Sequence, residues 1–556
     1  MEKLTLNILP EFRRQAEQLL EVRLHPETAK EKKHLLVCGG TGCEANKSDQ
    51  ICKNLISEIE KNKIADRVKV TKTGCFGFCE QGPIIKVMPD RSFYVQVNPA
   101  DAKEIIEEDL VNGKKVNRLL YSEQQGHADF KKEISFYGKQ KRIVLRNCGL
   151  INPEDIKEYI GNSGYKALEK ILSGLSPEDV INELKKSGIR GRGGAGFPTW
   201  QKWNFSKNTK ADQKYIICNG DEGDPGAYMD RSILEGDPHA VIEALAIGGY
   251  TIGATQGYFY IRAEYGLAIQ RIQTALNQAY EYGFLGKNIL GTNFSFDLEV
   301  RLGAGAFVCG EETALIASIE GERGTPRPRP PFPSIKGLYG KPTVINNVET
   351  LANIPQIIEK GGEWFAQTGT EGSKGTKVFA LTGKVNISGL IEVPMGTTLR
   401  EIVFEIGGGI ANGKKAKAIQ TGGPSGGMIS EKDFDTPVDF ESLKALGSMM
   451  GSGGMIVIDE DDSMVELAKF YLGFSVDESC GKCAPCRIGG YQMLTILERM
   501  SKGRGKEDDI LKLRDIGNAM QNASLCGLGQ TAPNPVLSAL NSFESEFTSK
   551  IKKAVK

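Results

Sequence analysis

Eight of the twelve cysteines in this 556-residue chain are spaced as metal ligands. Cys480-Gly-Lys-Cys483-Ala-Pro-Cys486 supplies three thiolates as C-x2-C-x2-C, and Cys526, in Ser-Leu-Cys-Gly-Leu-Gly, is the natural fourth. That spacing reads as a [4Fe-4S] site in preference to zinc. Lys482 and Arg487 would offset the cluster's negative charge and raise its potential. Cys38 and Cys43, as C-x4-C, and Cys75 and Cys79, as C-x3-C, make a second set of four. Four thiolates can hold a tetrahedral zinc or an iron–sulfur cluster. Zinc ribbons favour C-x2-C knuckles, whereas these wider, glycine-padded loops leave room for amides aimed at bridging sulfides. The reading is therefore [2Fe-2S], with zinc and idle thiols as alternatives. Cys148 stands alone and reads as buried packing.

A different chemistry is written in Gly188 to Phe205, where five glycines in nine residues lie among two arginines, Lys202 and four aromatics. Glycine backbone can take positive φ and lie directly against a ligand, which suits a planar, phosphorylated cofactor; a tight structural crossing is the plain alternative. Gly191, Gly193 and Gly196 also spell GxGxxG, but a dinucleotide fingerprint needs a strand before it and a helix after it. Here a helical pattern, Pro177 to Lys186, precedes it and Pro198 follows, so it is not a Rossmann turn. Asn219-Gly-Asp-Glu-Gly-Asp-Pro-Gly226 places Asp221, Glu222 and Asp224 at the C-terminal end of the strand Lys214 to Cys218, where α/β sheets keep ligands. A calcium-like or solvated acidic turn is the alternative. A second glycine loop, Gly303 to Leu315, puts Glu311 and Glu312 in the first turn of a helix. Capping explains one of them; the consecutive pair reads as placed for a ligand.

The elements that must position these residues set the domain plan. The length implies roughly three to five domains. Seventy basic residues balance seventy acidic ones, which argues against nucleic acid and anionic membrane surfaces. No apolar run is long enough to span a bilayer, no signal peptide is evident, and clustered cysteines fit a reducing compartment, so a cytoplasmic protein is expected. Residues 1–30 read as a helical extension that docks on a partner or frays. Residues 31–115 alternate strand and helix, with both cysteine pairs on loops after strands. Residues 116–150 read as a charged connector containing Gly126 and Gly138. Residues 151–370 repeat helix, glycine loop and strand, and Ser176-Pro-Glu-Asp is a good helix start. Residues 371–460 read as a compact β-grasp-like unit with a spacing and interface role. Residues 461–556 are helical, closing after Pro535 in a lysine-rich helix.

Five segments carry a family resemblance: GRGGAGFPT, CNGDEGDPGAYMDRSILEGDPH, GAGAFVCGEETALIASIEG, RPPFPSIKGLYGKPTVINNVET and SCGKCAPCRIG. Over about residues 150 to 540 they resemble the family of FMN- and NADH-binding subunits of respiratory complex I. With the amino-terminal unit, which looks like a thioredoxin-like ferredoxin, the chain is most similar to the beta subunits of multimeric NAD(P)-linked iron hydrogenases. The resemblance implies an α/β multidomain protein: a thioredoxin-like [2Fe-2S] domain, a Rossmann-like FMN domain, a β-grasp domain resembling the family's soluble-ligand-binding type, and a helical bundle with [4Fe-4S]. It implies that Gly191, Arg192, Gly193, Gly194, Lys202, Asn219, Asp221, Glu222, Phe307, Gly310, Glu311, Glu312, Asn346 and Asn347 surround FMN. NADH would lie against Phe197, Phe205 and Phe332, with a carboxylate at Asp224. Trp200 stands where glycine is usual after Phe-Pro-Thr, and Phe307 where tyrosine is common.

A nicotinamide gives up hydride while an iron–sulfur cluster accepts single electrons, and a flavin can do both. No protein acid or base is needed at the hydride step; Glu222 or Asp224 would fix the nucleotide or tune the flavin. The expected function is a diaphorase subunit, reversible in direction, with the [4Fe-4S] cluster draining FMN and the [2Fe-2S] cluster as a side branch or an exit. Its expected partners are a catalytic hydrogenase subunit and a small thioredoxin-like [2Fe-2S] subunit, with ferredoxin added if the complex bifurcates electrons. Longer relatives carry a carboxy-terminal two-cluster ferredoxin module that this sequence lacks, from which a simpler NADH-linked complex is expected. The alternatives are the beta subunit of an NAD-linked formate dehydrogenase and a non-catalytic relay or scaffold subunit.

Overall fold

A computed structural model describes residues 3–29, 31–121 and 134–552, and its architecture is mixed α/β around three sheets. In the first, ordered β2-β1-β3-β4, β1 (Lys33–Cys38) and β2 (Val68–Thr73) run parallel, while β3 (Ile85–Met88) and β4 (Ser92–Tyr94) are antiparallel. The Ser48–Lys61 helix joins β1 to β2 and buries Ile51, Leu55 and Ile59 on the sheet, a spacing of four that keeps them on one face. Cys38 ends β1, Cys75 lies just past β2, and both cysteine loops therefore leave the same end of the sheet.

The second sheet is fully parallel and ordered β7-β6-β5-β8: β5 is Tyr215–Gly220, β6 Gln256–Arg262, β7 Asp297–Gly303 and β8 Thr343–Asn347. The chain steps outward from β5 to β6 to β7, then crosses back to place β8 on the other side of β5. That reversal between β5 and β8 is the switch point beyond whose carboxyl ends an open α/β sheet holds its ligand. Register aligns Cys218 with Asn346 and Asn219 with Asn347 there. The Pro238–Ile252 helix is buried almost all round, as a crossover covered on every side must be.

The third sheet, ordered β10-β9-β13-β11-β12, mixes parallel and antiparallel strands: β9 is Thr376–Gly383, β10 Gly389–Pro394, β11 Ala416–Thr421, β12 Gly427–Ser430 and β13 Gly454–Asp459. Four long helices follow, Met464–Asp477, Gly490–Ser501, Asp509–Ala523 and Asn534–Thr548, with the short Gly527–Thr531 helix before the last, packed through residues such as Leu472, Leu497, Met520 and Leu540.

Three expectations need correction. The amino-terminal extension neither frays nor waits for a partner: the Leu4 and Leu6 amides donate to the Tyr282 and Leu290 carbonyls at 3.0 and 3.1 Å, and Leu9 and Leu20 are fully buried. Arg23 then donates to both carboxylate oxygens of Glu158, at 2.6 and 2.9 Å, with both side chains buried. The connector is not a solvated spacer, because Phe136, Val144 and Leu145 are core residues; Gly126 lies outside the described residues. The closing helix carries no lysine; Lys550 and Lys552 come after it, and residues 553–556 lie outside the described residues. No helix among the described residues is long and apolar enough to cross a membrane.

Candidate functional site

The glycine loop is pinned at its neck. Arg190 and Pro198 form a bridge, the Gly191 amide donates to the Phe197 carbonyl at 2.9 Å, and the Thr199 amide donates to Ile189 at 3.1 Å. Gly194 and Gly196 hold φ of +113° and +62°, so the loop needs the freedom its glycines supply. A Cβ on Gly193 would stand 3.2 Å from Asn347 Cβ, which places bare backbone against the end of β8.

Around that loop the carboxyl ends of the strands gather the other expected residues. Asn219 donates to the Gly310 carbonyl at 2.9 Å and accepts from the Asp221 amide at 3.0 Å. Trp203 Nε1 donates to Asn346 Oδ1 at 2.8 Å, and Asn347 Nδ2 donates to Asp230 at 2.6 Å. Lys202 reaches Glu312 at 3.3 Å and the Ile345 carbonyl at 3.1 Å, and Arg329 reaches the other oxygen of Glu312 at 2.8 Å. Although burial opposes its ionisation, Lys202 and Arg329 hold the Glu312 carboxyl below the usual carboxylate range. Both Asp221 oxygens are buried without a partner, and burial pushes its carboxyl up to about 7. Arg262 Nη1, at the end of β6, is likewise buried without a partner and passes close to Gly223, where a Cβ would come within 2.6 Å of it.

Several side chains are engaged with the protein itself. The Arg192 guanidinium is fully buried and donates to the Arg190, Lys374 and Thr376 carbonyls at 2.6 to 3.1 Å, so it fastens the glycine loop to the third sheet. Glu222 accepts from the Asp230 and Arg231 amides at 3.0 and 3.1 Å, capping the Met229–Gly236 helix; burial holds its carboxyl above the ordinary range. Glu311 caps the Glu312–Ile319 helix through the Thr313 and Ala314 amides, both at 2.9 Å. Ser452 Oγ donates to Asp224 Oδ2 at 2.9 Å, and burial pushes Asp224 up to about 7. Phe197, Phe205 and Phe332 are about half exposed (44, 51 and 51 %), unusual for rings this large. His239 and Cys148 are buried structural residues.

The FMN expected from the resemblance fits this donor set. Buried polar atoms need partners, and a flavin nucleotide brings ring amide, ribityl hydroxyl and phosphate groups that can satisfy Asp221, Arg262 and the loop amides. Gly193, Gly194, Lys202, Asn219, Asp221, Gly310 and Asn347 are the residues that would hold it, and Arg192, Glu222 and Glu311 would support them from behind.

Each cysteine set surrounds its own cavity. Cys480, Cys483, Cys486 and Cys526 line one with Val308, Pro326 and Lys482. Ser479 Oγ lies 3.2 Å from Cys486 Sγ, and the Gly529 and Leu528 amides donate to Cys526. Cys38, Cys43, Cys75 and Cys79 line the other. Cys75 and Cys79 sulfurs stand 3.7 Å apart, close to the spacing of about 3.8 Å for two thiolates on one tetrahedral metal with bonds near about 2.3 Å. Among the described residues no group of three or more such side chains is placed to hold a single metal ion. A Cβ on Gly82 would meet Cys43 Sγ at 2.8 Å, and one on Gly40 would meet Cys75 Cβ at 2.9 Å, which explains the glycine padding.

Arg262 was passed over in the sequence, although its place at the end of a strand was a usable signal. Tyr228 and Arg231, which line the amino-terminal thiol cavity, had no local signal, because they come from the far side of another sheet.

Comparison with known proteins places these sites. Residues 184–356 match the family model of the Nuo51 FMN-binding domain, residues 466–550 the NADH-ubiquinone oxidoreductase-F iron-sulfur binding region, and residues 24–109 the thioredoxin-like [2Fe-2S] ferredoxin. The chain is 58 % identical over 409 residues to the NADP-reducing hydrogenase subunit HndC of Solidesulfovibrio fructosivorans, covering 74 % of this chain and 83 % of that one. It is 45 % identical to an NADH-quinone oxidoreductase subunit of Rhizobium meliloti (strain 1021), covering 74 % and 97 %. Among solved structures it resembles an NAD+-reducing [NiFe]-hydrogenase in the H2-reduced state, with a TM-score of 0.66 at 26 % identity, covering 100 % of this chain and 94 % of that one.

Proposed function

Since the chain belongs to the Nuo51-type flavoprotein family of NADH-oxidising subunits, with FMN-binding, [4Fe-4S] and thioredoxin-like [2Fe-2S] domains, we propose that it is the diaphorase subunit of a hydrogenase-type complex, passing electrons between NAD(H) and iron–sulfur clusters. FMN, when bound, exchanges hydride with the nicotinamide and single electrons with iron.

The observation that carries this reading is the loop between β7 and the Glu312–Ile319 helix, which serves two sites at once. Gly310 accepts from Asn219 at the flavin edge, Val308 forms part of the wall around Cys480 to Cys526, and the Phe307 amide donates to Glu478 at 2.8 Å, two residues before that cysteine run. Phe307 also meets Phe474 edge-on, with ring centres 5.4 Å apart. A hydride acceptor and a one-electron carrier fastened to opposite sides of one short loop stay in a fixed relation. The backbone amides of Gly193 and Gly194 would be available to the phosphate, with no side chain of their own in the way. Arg329, which pairs with Glu312 as Lys202 does, lies 5.9 Å from the centre of the half-exposed Phe332 ring. Phe205 is half exposed on the helix that carries Lys202, so these flat rings could stack on the dinucleotide and shield it from water. With Oδ2 engaged by Ser452, Asp224 has Oδ1 left for the nucleotide. No acid or base is assigned to hydride transfer.

The partners would be a catalytic hydrogenase subunit and a small thioredoxin-like [2Fe-2S] subunit, and the compartment cytoplasmic; the hydrogenase names of HndC and of the structural neighbour support this choice. NADH-driven dye reduction by the folded, iron-loaded chain with added FMN tests the reading. Activity with a bound-flavin absorbance is expected. Absence of both would mark a relay or scaffold subunit, and recovery with a formate-oxidising subunit would replace hydrogenase as the partner.

A further inference from the structure

We propose that Arg231 and Tyr228, which belong to the flavin-binding half of the chain, are positioning residues that set the reduction potential of the amino-terminal [2Fe-2S] cluster. The inference rests on the presence of that cluster and not on which partner the complex contains.

The four thiols of the β1 and β2 loops provide only part of their own surroundings. The rest of the cavity wall is the Met229–Gly236 helix and the residue before it, through Tyr228, Arg231, Ser232 and Glu235. The two parts are clamped together: Glu235 accepts from the Thr41 amide at 3.0 Å and from the Thr41 hydroxyl, and Gly74 packs on Gly236 so closely that a Cβ there would lie 2.4 Å from Gly236 Cα. Tyr228 and Cys79 line the same cavity, so the tyrosine hydroxyl is placed beside that ligand as a donor for a thiolate there.

Arg231 is held in place without being neutralised. Its guanidinium lies 5.4 Å from the centre of the Tyr265 ring and 5.9 Å from that of Tyr228, its Nε is buried without a hydrogen-bond partner, and the nearest carboxylate oxygen, on Glu235, is 3.8 Å away. Glu235, which also accepts from Thr41, keeps its own negative charge and offsets part of that of Arg231, so removing the arginine would leave the carboxylate unopposed on the same wall. Four thiolates around two irons make a negative group that becomes more negative on reduction. A cation and a hydroxyl donor on its wall stabilise the reduced form more than the oxidised one and so raise the potential. The same helix start holds the Glu222 carboxylate through the Asp230 and Arg231 amides, so the residue that tunes the cluster is anchored to the flavin edge.

The test is an EPR-monitored redox titration of the full chain, wild type against Arg231→Gln, Arg231→Lys and Tyr228→Phe. For Arg231→Gln the reduced-to-oxidised ratio of the [2Fe-2S] signal at fixed ambient potential should fall at least tenfold, a downward shift of about 59 mV for a one-electron couple. Arg231→Lys should restore most of it, Tyr228→Phe should move it in the same direction by a smaller factor, and the [4Fe-4S] signal should not move. A [2Fe-2S] potential unchanged in both Arg231→Gln and Tyr228→Phe overturns the inference, as does a shift shared equally by both clusters. A wild-type chain with no [2Fe-2S] signal overturns it together with the cofactor assignment. Should Arg231→Gln fail to fold, Tyr228→Phe, which removes a single oxygen, decides the matter alone.

Discussion

The two thiol sites in this chain are built on opposite plans. At the carboxy-terminal site three ligands come from seven consecutive residues, and the cations beside them, Lys482 and Arg487, come from the same run and are exposed. At the amino-terminal site the ligands come from two loops of one small sheet, but the cation and hydroxyl beside them come from a helix about 150 residues further on and are partly buried. The first site is a local motif with a local environment. The second is a local motif whose environment is assembled by packing, and that packing ties it to the flavin edge.

The strongest way to break this comparison is to remove a ligand from each side. Cys483→Ser should abolish the [4Fe-4S] EPR signal and leave the [2Fe-2S] signal, and Cys79→Ser should do the reverse; loss of both signals in either variant would show that the sites do not stand independently. A second test addresses the docking that the amino-terminal site needs. Arg23 and Glu158 form a fully buried pair. Arg23→Leu leaves a buried carboxylate with only the half-exposed Lys69, 3.7 Å away, as a charged partner, expected to cost about 3 kcal/mol in denaturant melts. Arg499→Leu in the helical bundle, where the arginine of the Asp509 pair is 26 % exposed, should cost less.

The flavin edge between the two sites gives a pH test. Burial raises Asp221 from the ordinary 3.8 to about 7. Between those values the unfolded chain has lost a proton that the folded chain retains, so stability falls as pH rises across that window and is lowest above it. For a shift of three units the effect is at most about 4 kcal/mol. Urea unfolding of flavin-free protein should show lower stability at pH 8 than at pH 5, and Asp221→Asn should flatten the difference. Asp224, raised to about 7 by burial, contributes in the same direction, so the flattening is partial. An unchanged slope in Asp221→Asn would refute the assignment. The smallest effect is expected at Lys482, which is exposed and screened by salt. Lys482→Gln should change the reduced-to-oxidised ratio of the [4Fe-4S] cluster by less than about fivefold, against the larger change expected for Arg231→Gln at the other cluster.

Much of the flavin site could be read from residue types. Gly193, Asn219, Asp221, Gly310 and Asn347, which the resemblance assigns to the flavin, lie in glycine loops or at strand ends, and the structure gathers them near the β5/β8 switch point. Arg192 shows why type alone misleads. An arginine in a phosphate-type loop reads as an anion ligand, yet its neighbours in space include three carbonyls, and all three of its nitrogens donate to them. Glu222 and Glu311 were read for the ligand and turned out to cap helices, because a carboxylate beside a helix start finds free amides first.

The sequence alone determined which thiols, glycines and carboxylates are present and in what order, since ligand spacing and backbone permissiveness are properties of a few covalently linked residues. It was enough to specify two iron–sulfur sites and a flavin loop between them. Tertiary packing alone decided what surrounds each of them: that Arg231 lines Cys79's cavity, that residues 3–29 brace the flavin half, and that Arg262 comes up against Gly223. Those contacts join segments tens to hundreds of residues apart, and electrostatic influence depends on distance through the folded protein and on exclusion of water, neither of which is fixed by separation along the chain.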